Sequence, residues 1–244
     1  MNLRAFRTYQ ALLLGALGIF LFSKVMDGRV LLYINSRFVL LVLFGALALI
    51  FLAQLVLRER PGPDVEEEES PDPHVHVHGS RQSWGLFLLA LPLLIGLLVP
   101  ERPLGAEALR TRGVSVRAPG GSGRLGLPPE QRSILDWLRE AENDPRATFH
   151  TGQPADVTGF VFHDPRLGID QFMIGRFTIA CCVADASALG MAVQWTETEG
   201  LHANTWVRVR GMMSFTALDG RTVPMILAES VEEIPEPAQP YLFP

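Results

Sequence analysis

The sequence predicts a membrane-anchored chain of two parts: an α-helical N-terminal part, and a mainly-β soluble domain built as an OB-like small barrel with one preceding helix. Three observations predict it. The first hundred residues hold three apolar stretches without a single charge, in a chain that is 48% hydrophobic with a mean hydropathy of +0.21. From Asp156 onward, short runs rich in Val, Ile, Phe and Trp follow one another, divided by turn residues. Between the two lies one segment of helical period. A small β-sandwich is the alternative for the second part.

The three apolar stretches run between Arg7 and Lys24, between Arg37 and Arg58, and between Arg81 and Glu101. An uncharged run of about 18 residues or more can cross a bilayer as a helix. The predicted spans are 8–26, 38–57 and 83–100, within a membrane region 1–104. The first must borrow Val25 and Met26, with the Lys24 ammonium reaching back to the interface. The alternative for it is a cleaved signal peptide with Arg4 and Arg7 as its basic start, but "LFSKVMDG" offers no small-x-small cleavage site. The third contains Pro92, which a spanning helix tolerates when neighbours satisfy the freed carbonyl. A buried core helix is the alternative for the second and third. It fails because nothing else in the chain could wrap two helices apolar on every side.

Orientation follows from the basic residues that flank the spans. With the N-terminus inside, Arg4, Arg7, Arg58, Arg60 and Arg81 are cytoplasmic. Lys24, Arg29, Arg37, Arg102, Arg110 and Arg112 are outside. The count is close to balanced. The reading adopted is a multi-pass cell-membrane protein with an extracytoplasmic C-terminal domain.

The loop 58–81, "RERPGPDVEEEESPDPHVHVHGSR", is rich in Pro and acid and lacks apolar periodicity, so it is expected to be mobile. A flexible linker is expected over 105–127, where Gly and Pro accumulate. The soluble domain is placed at 128–244. It opens with "PPEQRSILDWLREAEN", whose Ile134, Leu135, Leu138 and Ala141 recur at three- and four-residue steps. Prolines sit at the entry, where a missing N–H costs nothing, and Asn143-Asp144-Pro145 ends the helix.

Five strands follow. They are "DVTGFVFH", "QFMIGRFTIA" with a bulge expected at Gly175, "MAVQW", "TWVRVRGMM" and "RTVPMILAESVEEI". In the fourth, Val207 and Val209 share one face and Arg208 and Arg210 the other. Asp219-Gly220 marks the turn into the fifth. OB folds often bind nucleic acid, yet residues 114–244 hold ten Arg, no Lys and sixteen acidic residues, a net charge of −6. Phosphate binding needs a basic surface, which excludes nucleic acid as the partner class.

The chain has two cysteines, Cys181 and Cys182, and they are adjacent in "IACCVADA". Three readings stand. As thiolates they suit zinc or copper(I). Adjacent strand residues point to opposite faces, so both reach one ion only if the chain turns there. As a redox pair they would close a strained, easily reduced vicinal disulfide. In the third reading, one packs in the core as a small hydrophobe and the other lies beside it without a role. His163 and Asp185 are the further candidate ligands, with His150 and His202 behind them.

A separate feature is "HVHVH", His74, His76 and His78, preceded by four glutamates. In an extended segment the alternation puts three imidazoles on one face, a donor set for zinc, copper or nickel. The alternative is a solvated loop with incidental affinity. No GxSxG, HExxH or phosphate-binding GxxxxGK[ST] pattern occurs, and the sequence is read as non-enzymatic with no catalytic residue. Gln54 is the polar residue well inside a span, so this chain alone is not read as a pore.

"GFVF" at 159–162, "RFTIACCVADA" at 176–186, "WVRVRG" at 206–211 and the terminal "PYLFP" fall in an order that resembles the YcgQ-type family of two-component permease-complex subunits. "YINSRF" at 33–38, between the first two spans, agrees with it. The resemblance implies membrane helices followed by a soluble domain, lodged in lipid and partnered by a separate multipass permease. It implies no catalytic activity and transfers no ligand residues. The function expected is an accessory subunit of a transport complex, whose soluble domain gates the permease or presents a substrate or ion to it. A stand-alone metal-binding or thiol-sensing membrane protein is the alternative.

Overall fold

A computed structural model describes residues 3–58, 79–118, 127–143 and 151–243. The chain divides into two compact units. One comprises Met1–Leu31 and Ser36–Glu101, the other Leu32–Asn35 and Arg102–Pro244.

The first unit is helical: α1 (Leu3–Met26), α2 (Val39–Arg58) and α3 (Gly79–Leu98). Among the described residues, two helices, over Phe6–Met26 and Ser36–Arg58, are long and apolar enough to cross a membrane. α1 and α2 run antiparallel and meet through small residues. Ala11, Ala46 and Ala53 are buried at the contact, and a Cβ at Gly18 would stand 2.7 Å from Ile50 Cγ1 and 2.9 Å from the Ala46 carbonyl. Only glycine permits that approach. α3 runs parallel to α1: Gly96 lies against the Phe20 ring, and beyond the helix ends Glu101 pairs with Lys24 and, at 3.2 Å, with Arg29. Burial raises the Glu101 pKa, but the two cations outweigh it and hold the carboxyl below its usual range.

The second unit is mainly β, with α4 (Ala106–Arg112) and α5 (Ile134–Asn143) ahead of six strands. These are β1 (Pro154–Phe162), β2 (Gln171–Thr178), β3 (Ser187–Gln194), β4 (Trp206–Leu218), β5 (Arg221–Glu233) and β6 (Tyr241–Leu242). The sheet order is β1-β4-β5-β3-β2-β6, and β1 also pairs with β2. The pairings therefore run β1-β2-β3-β5-β4 and return to β1. All are antiparallel except the parallel β3–β5 pair. β1 and β6 share one side of β2: β1 pairs with Met173–Gly175, and β6 pairs in parallel with Phe177 and Thr178.

Ser133 and Asp136 cap α5 reciprocally. The Asp136 carboxylate accepts from the Ser133 N–H at 2.9 Å, and the Asp136 N–H donates back to Ser133 Oγ. This fixes the helix start and turns Ile134, Leu135, Trp137 and Leu138 into a core with Val157, Val161, Phe172 and Ile174. A second core joins Leu109 of α4 to Phe160, Phe177, Ile179, Trp206 and Tyr241. Residues 105–118, read from sequence as the start of a tether, thus carry a helix with a fully buried Leu109. They also carry an extended pair in which Ser115 N–H donates to Ala188 and Gly190 N–H donates to Ser115.

The bulge expected at Gly175 is not there, since Gly175 sits in unbroken register with Gly190 and Phe160. Its missing side chain instead makes room for Leu109 and Phe160, because a Cβ would lie 2.6 Å from Leu109 Cδ1. The register shift falls at Arg210/Gly211 of β4. The C-terminal tail is held by Arg176, which donates to the carbonyls of Gln239 at 2.6 Å and Pro240 at 3.0 Å; burial pulls its pKa down to about 10.

Candidate functional site: the Cys181–Cys182 turn

β2 ends at Thr178, and the chain must reverse before β3 begins at Ser187. Ile179 is fully buried and anchors the near end of this reversal. A 3-10 turn, Val183–Asp185, closes the far end. Asp185 organises the reversal. Its carboxylate accepts from the backbone N–H groups of Ala180 (2.8 Å), Cys181 (2.7 Å) and Cys182 (3.1 Å). Three consecutive amides can converge on one carboxylate only where the strand has broken. The break removes the alternation that would send the two thiols to opposite faces. The sulfurs come to 3.7 Å from each other as free thiols.

The ligand atoms of Cys181, Cys182 and Asp185 all lie within 4.8 Å of one another. Hydrogen bonds from the Cys181 thiol and from the three amides bring the Asp185 pKa down to about 2. Conversely, the bond to Asp185, its negative charge and the neighbouring Cys182 push the Cys181 thiol up to about 11. At neutral pH Cys181 is held protonated against an ionised carboxylate, the opposite of the lowered pKa that marks a reactive cysteine.

The carbonyls of the turn are satisfied from two other stretches of the same unit. Residues 33–35 lie alongside it as a short antiparallel bridge, Ile34 opposite Cys182. Asn35 N–H donates to the Cys181 carbonyl (3.0 Å), and Val183 N–H donates to Tyr33 (2.8 Å). The buried Asn35 amide donates to the carbonyls of Ala180 (3.0 Å) and Ile179 (3.4 Å). From α4, Arg112 donates to the carbonyls of Ala186 (2.8 Å) and Val183 (3.3 Å). The backbone is thus fixed on both sides, with Cys181 exposed and Cys182 half-buried.

Of the residues singled out from sequence, Cys181, Cys182 and Asp185 come together. His163 follows β1 and stands outside this group; its Nε2 is 2.9 Å from the Leu201 carbonyl. His202 is exposed in the β3–β4 connection. His74, His76, His78 and His150 lie outside the described residues. Sequence reasoning missed Asn35 and Arg112. The available signal was "YINSRF", a polar triplet between two apolar stretches.

Two family patterns match the chain. The DUF1980 N-terminal domain matches residues 9–115, and the DUF1980 C-terminal domain matches residues 130–244. This chain belongs to the DUF1980 family, the YcgQ-type family. A Streptococcus mutans protein named "Putative two-component membrane permease complex subunit" is 24% identical over 196 residues, covering 64% of this chain and 72% of its own length. The UPF0703 protein YcgQ of Bacillus subtilis is 22% identical over 94 residues, covering 38% of this chain and 33% of its own length.

Proposed function

We propose that this chain is a non-enzymatic accessory subunit of a membrane permease complex. The observation that carries the reading is the match to the Streptococcus mutans protein, whose name describes such a subunit. In this reading α1, α2 and α3 all cross the bilayer and dock on a separate multipass permease, with lipid around the rest. Residues 128–244 form the soluble domain, and its ring of five strand pairings supports an OB-like barrel. The acidic balance of 114–244 speaks against nucleic acid as a partner.

In this reading α1 and α3 cross the bilayer in the same direction and α2 in the opposite one. Lys24 and Arg29, after α1, pair with Glu101, after α3, so both helices end on one side. Residues 32–35, which follow α1 in the chain, belong to the β unit, and the reading takes that unit to lie on the side of the membrane where α1 ends. With an inside N-terminus, the β domain is extracytoplasmic, where it gates the permease or presents a substrate or ion at its mouth.

The test is purification of the tagged full-length protein in mild detergent after cross-linking in cells, followed by mass spectrometry. A stoichiometric multipass permease is the expected result, and recovery of the chain alone overturns the reading. A stand-alone metal-binding or thiol-sensing protein is the second reading, favoured by the clustering of Cys181, Cys182 and Asp185.

A further inference from the structure

We propose that Cys181, Cys182 and Asp185 form an open, three-donor site for a thiophilic divalent cation of the zinc class, built for exchange rather than for structure. The inference stands independently of the permease assignment, since it rests on the geometry of one turn.

The spacing of the sulfurs selects the coordination. Two thiolates at about 2.3 Å from one zinc, at a tetrahedral angle, lie roughly 3.8 Å apart; a linear pair at the same bond length would need about 4.6 Å. The observed separation is 3.7 Å. The sulfurs therefore already stand where a tetrahedral ion would hold them. The third donor decides between metals. Copper(I) is served by sulfur alone, whereas a carboxylate oxygen beside two thiolates is a zinc-type set.

The carboxylate has room for the ion. An ionised carboxylate offers about four lone-pair sites. Three accept the amides of Ala180, Cys181 and Cys182, which leaves the fourth for the ion. A cation enters with both sulfurs bound as thiolates, their protons released to solvent, and with the remaining carboxylate lone pair turned to the metal. The three amides stay in place and keep the oxygen aimed. Asn35 and Arg112, which hold the turn's carbonyls, are the outer support of the kind that orients metal ligands.

Three protein donors leave the fourth position of a tetrahedral ion open. Cys181 is exposed, so that position faces solvent. A structural zinc is closed by four protein ligands; an open one at the surface can accept a donor from another molecule and pass the ion on by ligand exchange.

The experiment uses the full chain in detergent, reduced, with His74, His76 and His78 replaced by alanine so that imidazoles of the loop do not compete. Cobalt(II) is the probe. The expected result is about one ion per chain, with a near-ultraviolet thiolate-to-cobalt band and the strong visible bands of tetrahedral cobalt, both abolished by added zinc. Cys181→Ser and Cys182→Ser should each weaken cobalt binding by roughly tenfold or more and diminish the thiolate band. Asp185→Asn should shift the visible bands; circular dichroism of the same variant separates loss of a ligand from loss of the turn. Absence of the thiolate band in the chain with both cysteines, or cobalt affinity unchanged in both serine variants, overturns the site.

Discussion

The two units of this chain solve the packing problem in opposite ways. In the β unit the large side chains point inward: Trp137, Phe160, Phe172 and Phe177 are fully buried, and charged pairs such as Asp156–Arg208 stand outside. In the helical unit the contact between α1 and α2 is made by Gly15, Gly18, Ala46 and Ala53. The large side chains, Leu40, Leu41, Phe44 and Phe51 among them, point outward. A water-facing fold hides apolar bulk to remove it from solvent. Helices in lipid gain nothing from hiding bulk, because the surroundings are as apolar as leucine, so they associate through close backbone approach at small residues. The inversion accords with membrane association of the helical unit.

The sharpest way to break this contrast is to remove one ring from each unit. Phe172 is 0% exposed and Phe51 is 62% exposed. Phe172→Ala should destabilise the β unit by about 3–5 kcal/mol, from lost transfer energy and the cavity left behind. Phe51→Ala should change the stability of the helical unit by only about 0.5 kcal/mol. Denaturation of the full chain in detergent can read the first by fluorescence, since three of the four tryptophans lie in 130–244. A comparable loss from Phe51→Ala would mean that α2 packs against protein where it is now read as facing lipid.

The next effect tests the small-residue contact itself. Gly18→Val places a branched side chain where even a Cβ would be 2.7 Å from Ile50 and 2.9 Å from a backbone oxygen. The backbone atom cannot rotate away, so overpacking of about 1–3 kcal/mol is expected. It should appear as a lower melting temperature of the detergent-solubilised helical unit, with the β unit unchanged.

These predictions also mark what the sequence could and could not reveal. The apolar stretches were legible because a run without charge has few other uses. The alternation of Val207, Arg208, Val209 and Arg210 was legible because a half-buried strand has period two. The role of Gly175 was not: a glycine in a strand reads equally as a bulge or as a space for a neighbour, and only the arrival of Leu109 from α4 decides. The paired cysteines were visible, but whether they share a face depended on a turn. That turn is made by Asp185 binding three amides behind it. Asn35 stood out only as a polar residue in "YINSRF"; its partners could not be read, because Ile179 and Ala180 are 144 and 145 residues away.

Asn35 gives an intermediate effect and tests whether residues 33–35 belong energetically with the β unit. Asn35→Ala leaves the backbone bridge to Cys181 and Val183 intact but removes the donor to two carbonyls. Removing that donor from the buried Ile179 carbonyl and the part-buried Ala180 carbonyl should cost about 1–3 kcal/mol of β-unit stability. If fluorescence-monitored unfolding of the β unit is unmoved while the helices loosen, the segment works for the helical unit instead.

The smallest effect concerns the water-facing shell of the β unit. Asp156 on β1 accepts from Arg208 at 2.6 Å and from Arg210 at 3.3 Å, both on β4. The hydrogen bond from Arg208 is the largest influence, burial opposes it, and the net effect holds the Asp156 carboxyl below its ordinary value. A carboxylate whose pKa is depressed by folding contributes stability at pH values above its unfolded pKa. That contribution is lost as the pH falls through the folded value. The arginine side chains are 43% and 47% exposed, so screening by water keeps the contribution to about 1 kcal/mol or less. Asp156→Asn should therefore be slightly less stable than the parent at pH 7, and the gap should close on acidification below about pH 4. Urea unfolding of both proteins across that range measures it. A gap that persists unchanged at low pH would mean that Asp156 acts through its shape and hydrogen bonds, not its charge. The exposed shell of the β unit would then be built on packing, as its interior is.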